Sequence, residues 1–122
     1  MTAPETVRAT ESVLEHHLTA FGDRDMEAIL DDYTDESVVV TNDGTYHGLE
    51  EIEGMFEDFF AEFGQEGVTM EVTQQTAEGE FAFITWEAET PDNVYEFATD
   101  TFHVVDDVIE FQSFAGKITP RR

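Results

Sequence analysis

The chain has 122 residues, 40% of them hydrophobic and 11 of them Phe, and no cysteine, so one domain with its own core is expected and disulfides, thiolate metal sites and Cys nucleophiles are excluded. Five basic residues stand against 29 acidic ones, a formal net charge of −24, which argues against nucleic acid and anionic membrane surfaces as partners, because both are bound through Lys and Arg. No apolar run approaches the roughly 20 residues of a membrane span, and the opening MTAPETVRATE lacks the basic and apolar regions of a signal peptide, so a cytoplasmic protein is expected.

The first helix is predicted from about Glu5 to Phe21. Leu14, His17, Leu18 and Phe21 fall at i, i+3, i+4 and i+7, which places His17 on the buried stripe and its neighbour His16 toward solvent. Gly22 reads as its C-cap and Asp25 as the N-cap of a second helix. There Met26, Ile29, Leu30 and Tyr33 repeat the same spacing. Val38 to Thr41 is a short β-branched strand, and Asn42-Asp43-Gly44 supplies a hairpin turn before Tyr46. A third helix runs from about Leu49 to Phe63 and ends at Gly64 and Gly67. Its face of Ile52, Met55, Phe56, Phe59, Phe60 and Phe63 is almost wholly large and apolar.

The remainder alternates as strands do. Val68–Thr76 turns at Ala77-Glu78-Gly79, and Glu80–Glu89 turns at Pro91-Asp92-Asn93. Val94–Val105 turns at Asp106-Asp107, and Val108–Ile118 closes the series. Three helices followed by a four-strand meander predict an α+β domain spanning residues 1–122, with the helices on one face of the sheet.

The acidic residues are spread over helix faces (Glu50, Glu51, Glu53, Glu57, Asp58) and turns (Asp35, Glu36, Asp106, Asp107) and are not gathered in a tail. With so little Lys, the composition points to a halophilic source, where molar salt screens the self-repulsion that would loosen the fold.

On the Val94–Val105 strand, strict alternation gives one face Val94, Glu96, Ala98, Asp100, Phe102 and Val104, and the other Tyr95, Phe97, Thr99, Thr101, His103 and Val105. Asp100 therefore lies between Ala98 and Phe102 on the more apolar face. Burial raises a carboxyl pKa and suits it to proton transfer or oxyanion binding near neutral pH. Tyr33, Tyr46, Trp86 and Tyr95 are candidate walls for a flat apolar ligand. Phe56, Phe59, Phe60 and Phe63 close the helix side. The histidines show no metal-ligand spacing and the glycines no phosphate loop. No metal, cofactor or nucleotide is predicted.

The stretch Leu18–Gly48, LTAFGDRDMEAILDDYTDESVVVTNDGTYHG, and the late segment Asp100-Thr-Phe-His-Val-Val-Asp-Asp-Val-Ile-Glu together resemble a SnoaL-like or ketosteroid-isomerase-like domain of the nuclear-transport-factor-2-like superfamily. The resemblance covers about residues 7 to 118. It implies a cone of three N-terminal helices packed on a curved, mostly antiparallel sheet, with a pocket inside and a homodimer formed through the outer sheet face. It also implies a functional Asp at Asp100. His17 aligns with the hydrogen-bonding Tyr of the isomerases, and Thr41 aligns with their proton-moving carboxylate. Thr is no base at neutral pH, and nearby Asp43 suits the hairpin turn. The isomerase pair is thus incomplete, and a one-carboxylate scheme fits better.

The expected catalytic residues are Asp100 and His17, and the expected substrate-binding residues are Tyr33, Thr41, Phe56, Trp86 and Phe102. The expected activity is cofactor-independent proton transfer on a small apolar carbonyl compound: isomerisation, dehydration or polyketide-type cyclisation. The competing expectation is a non-catalytic ligand-binding or dimerisation module of the same fold.

Overall fold

Each apolar helix stripe meets the inner face of one sheet. A computed structural model describes residues 4–121. The elements in chain order are α1 (Pro4–Asp23), α2 (Met26–Leu30), β1 (Val38–Val40), β2 (Thr45–His47), α3 (Gly48–Phe63), β3 (Thr69–Glu78), β4 (Phe81–Glu89), β5 (Asn93–Val105) and β6 (Val108–Pro120). Val13, Leu14, His17 and Ala20 of α1 and Ile52, Met55, Phe56 and Phe63 of α3 are buried against the sheet, as the helical spacing requires.

The ends of the elements correct the sequence reading in detail. Gly22 is not the C-cap of α1. The helix runs through it to Asp23, and Arg24 takes the left-handed conformation at φ 52°. The Asp25 and Arg24 amides then close a Schellman motif on the Ala20 and Phe21 carbonyls, at 2.9 and 3.0 Å. Asp25 caps α2, its carboxylate accepting from the Ala28 amide at 3.1 Å. That helix is only five residues long. Tyr33 lies beyond its end, in tight turns carried by Asp32 N–H to the Ile29 carbonyl and Tyr33 N–H to the Leu30 carbonyl. At the start of α3 only glycine fits, because Gly48 has φ +79° and a Cβ there would stand 3.0 Å from the Asp35 carbonyl oxygen.

The six strands order as β2-β1-β6-β5-β4-β3. All pairs are antiparallel except β1 with β6, which run parallel with Val39 opposite Gln112. The β3–β4 hairpin turns at Gly79-Glu80, so β3 extends through Ala77 and Glu78, residues expected in the turn. Asp106 and Asp107 both have positive φ, at 52° and 66°, the signature of the I′ hairpin turn.

Three bulges, seen as register shifts between the paired strands, leave an extra residue at Thr73 in β3, Glu96 in β5 and Glu110 in β6. Such bulges bend a sheet and reverse the facing of the residues beyond them. The shift at Glu96 overturns strict alternation: Tyr95 turns inward with Ala98, Asp100 and Phe102, while Phe97 stays outside and 53% exposed. The result is an α+β fold of three helices against a bent, mostly antiparallel sheet that does not close. None of the described helices is long and apolar enough to cross a membrane.

Candidate functional site

Between the helices and the inner sheet face lies a cavity of about 280 Å³. His17, Leu18 and Phe21 of α1 and Met55, Phe56 and Phe59 of α3 form one side. Val39, Thr41, Ile84, Trp86, Asp100, Phe102, Gln112 and Phe114 form the other. The cross-strand row Ile84, Asp100, Phe114 explains the placement, since directly opposed residues share a face. The walls are apolar apart from a few converging polar groups, as small-molecule sites are.

Asp100 is 7% exposed. Its Oδ1 accepts from Trp86 Nε1–H at 2.8 Å and its Oδ2 from Gln112 Nε2–H at 2.8 Å. Burial pushes its carboxyl up to about 6, against the opposing pull of those two donors. Gln112 is the hub of the polar set: its Oε1 accepts the Tyr33 hydroxyl proton while its amide holds Asp100. The Tyr33 hydroxyl also stands 3.5 Å from His17 Nδ1. Burial first, and the charges of Asp100 and Asp32 second, hold that phenol well above its ordinary range.

His17 is 5% exposed and packs edge-on against Phe102, ring centres 5.2 Å apart. Burial, reinforced by neighbouring His16, lowers its pKa to about 3, so the ring that faces the cavity is neutral. With Nδ1 turned toward Tyr33 and Asp32, Nε2 is the nitrogen left for a ligand.

The structure brings Asp100, His17, Thr41, Phe56, Trp86 and Phe102 to the wall of one cavity, His17 and Phe56 from the helix side and the others from the sheet side. It sets Tyr33 behind that wall, where the phenol braces Gln112. Tyr95 and Tyr46 line an adjoining, more polar groove of about 490 Å³ that shares Thr41, Met55, Phe59 and Phe114 with the cavity. There the Tyr95 hydroxyl donates to Glu62 at 2.8 Å, and Thr90 and Asn93 donate to the same carboxylate, clamping α3 to the β4–β5 turn. His16 is half exposed, yet it does not simply face solvent: its Nδ1 lies 2.8 Å from the buried Asp32 Oδ1.

Sequence reasoning missed Gln112 and Asp32. Gln112 sits among inward-facing Ile109 and Phe114, but the bulge at Glu110 changes the phase of alternation and hides the signal. Among the described residues no group of three or more His, Asp or Glu side chains is arranged to hold a metal ion.

The model of the SnoaL-like domain matches residues 14–119. The chain belongs to the SnoaL-like family. No curated protein matches it significantly in sequence, but solved structures share the SnoaL-like fold. An NTF2-like protein of unknown function from Mesorhizobium loti is 15% identical at TM-score 0.78, over 91% of this chain and 93% of that one. A candidate ketosteroid isomerase from Kribbella flavida is 12% identical at TM-score 0.77, over 91% and 79%. An LEH-like epoxide hydrolase from M. tuberculosis is 17% identical at TM-score 0.70, over 93% and 86%. At these identities the likeness is one of fold.

Proposed function

We propose that this SnoaL-like domain binds a small apolar carbonyl compound and moves a proton on it without a cofactor, in an isomerisation, dehydration or cyclisation. The observation that carries the reading is a buried carboxylate, Asp100, facing an apolar cavity with a pKa of about 6. Near neutrality such a group can accept a proton from carbon and return it. Neutral His17 across the same cavity serves as the second proton-transfer or orienting group. Trp86 and Gln112 hold the Asp100 carboxylate in place. Thr41, Phe56 and Phe102 bind the substrate by contact, and Tyr33 supports it through Gln112.

The test is thermal stabilisation by phenols and enolate mimics, run on the wild type and Asp100→Asn together. A ligand that stabilises the wild type and loses its effect in the variant is the expected result. Equal stabilisation of both would favour the ligand-binding module, a reading that Thr41 in place of a carboxylate also suits. No stabilisation by any compound would overturn the small-ligand reading itself.

The domain is further proposed to be cytoplasmic, to come from a salt-rich cell and to act as a homodimer. The support for the dimer is the outer sheet face. Across β4, β5, β6 and β1 the rows Phe81–His103–Phe111–Val38, Phe83–Thr101–Ser113–Val40 and Thr85–Thr99–Ala115 carry no carboxylate, in a chain with 29 acidic residues. Glu78, opposite Phe81, and Glu80, against His103, stand only at the β3 edge. Phe81 and Phe111 are 52% and 39% exposed there. Light scattering after gel filtration in molar KCl should give twice the mass of 13.8 kDa, and Thr101→Glu, in the middle row, should give a monomer. A wild-type monomer would refute the dimer.

A further inference from the structure

Asp32 carries the only buried side-chain oxygen among the described residues that has no hydrogen-bond partner, Oδ2. The residue lies just past α2 and is 5% exposed. Its backbone carbonyl is pinned by the Ile109 amide of β6 at 2.6 Å. His16 Nδ1 engages Oδ1 at 2.8 Å, and Oδ2 lies 4.0 Å from His17 Nδ1. A buried carboxylate oxygen left unpaired is destabilising, and such an orphan in a folded protein calls for a reason. The ionisable groups around it are His16 and His17 of α1, with Asp31 and Tyr33 beside it in the chain. Burial, with a smaller push from Asp31, raises the Asp32 carboxyl, and His16 opposes that rise.

We propose that Asp32 is the positioning residue of the cavity histidine: it holds the proton of neutral His17 on Nδ1 and so turns the lone pair of Nε2 toward the cavity. Among the described residues the other partner of Nδ1 is the Tyr33 hydroxyl, at 3.5 Å, and its own proton is committed to Gln112 Oε1. Toward His17 it can only accept, and a neutral hydroxyl accepts less strongly than a carboxylate. His16 contributes from outside. By occupying Oδ1 it leaves Oδ2 as the oxygen nearer His17. At 4.0 Å the contact is electrostatic and not a hydrogen bond, and in the buried interior a carboxylate at that distance still favours the proton on the nearer ring nitrogen.

The chemical consequence rests on the proposed proton-transfer function. When Nε2 takes a proton from substrate carbon, the electron pair of that C–H bond stays on the substrate as its enolate. The Nδ1 proton stays on the ring and donates to Asp32 Oδ2, and the new imidazolium gains a carboxylate partner. Proton return to the substrate reverses each change, so no other reactant is required.

Long-range nitrogen–proton correlation of nitrogen-15-labelled histidine reads the tautomer directly, in the ligand-free protein at neutral pH. The wild type and Tyr33→Phe should both keep the proton on His17 Nδ1, because Asp32 remains. Asp32→Leu, which removes the acceptor, should shift the tautomer ratio toward Nε2–H by about tenfold or more. A tautomer that flips in Tyr33→Phe, or one that persists in a folded Asp32→Leu, overturns the proposal. If Asp32→Leu does not fold, Tyr33→Phe decides alone: retention of Nδ1–H supports Asp32, and its loss assigns the tautomer to Tyr33. The reading needs no substrate, so a failure of catalysis leaves it standing, and a failure of the tautomer leaves the Asp100 chemistry untouched.

Discussion

Asp100→Asn should lower the rate of proton transfer by ~10²–10⁴-fold, the usual contribution of a positioned acid–base group. Exchange of the carbonyl-adjacent hydrogens of a cavity-binding ketone for deuterium, monitored by NMR, measures it. In the wild type the rate should rise as pH climbs through about 6 and then level off, because the basic form is the ionised one. The variant should show no such rise. A full rate in Asp100→Asn would remove the residue from the mechanism.

Stability should move the other way. The folded-state pKa of Asp100 lies above the unfolded value of 3.8, so the folded state binds the proton more tightly. The cost of burying its charge is about 3 kcal/mol. That cost is fully present above about pH 6, fades as pH falls, and is gone below 3.8. Asn cannot ionise, and a flip of the Gln112 amide offers Oε1 to its new N–H while Nε2–H turns to the Tyr33 hydroxyl. The one bond that hydroxyl gives up costs about 1 kcal/mol, less than the charge burial that is relieved. At neutral pH the variant should therefore melt no lower than the wild type in calorimetry. Lost activity with retained stability separates a functional carboxylate from a structural one.

The second large effect is salt. The ion pairs that Lys and Arg make among the described residues are Lys117 with Glu96 at 3.7 Å and Arg121 with Glu89 at 3.6 Å. Both pairs are exposed, and exposed pairs contribute little. Most of the net charge of −24 is thus held down by solvent ions alone. Raising KCl from low to molar concentration shortens the screening length from about 10 Å to about 3 Å. The melting midpoint should rise by on the order of 10 °C, whereas a neutral osmolyte at the same concentration should not reproduce the full rise. A midpoint flat across the salt series would refute salt adaptation. The titration of buried Asp100 should persist in molar salt, because ions do not reach it.

Fold class and the inner wall of the cavity were legible because both rest on local periodicity. The i, i+3, i+4 spacing around His17 and the alternation of Ala98, Asp100 and Phe102 each set a side chain on one face whatever it later packs against. Their meeting at one cavity confirms both facings. The same rule failed at Tyr95, because a bulge depends on how the neighbouring strands pair and not on the residues within the strand. Tyr33 was expected both to continue the spacing of α2 and, as an aromatic, to line the cavity, but the helix stops at Leu30 and the phenol turns to Gln112 behind the wall.

The sequence by itself determined three helices before a meander, an apolar lining from the Phe-rich third helix, and the inward facing of His17 and Asp100. Tertiary structure alone decided that β1 runs parallel to β6, that Gln112 joins Tyr33 to Asp100, and that Asp32 stands behind His17. These are contacts between residues far apart in the chain, such as Tyr33 with Gln112 and Asp32 with His16 and His17. Local propensity carries no information about such distances. The Tyr33–Gln112–Asp100 set forms only when the sheet register, shifted at Glu96 and Glu110, turns Gln112 and Asp100 to the same face, and Asp32 meets His16 and His17 only when α1 packs against the turn after α2.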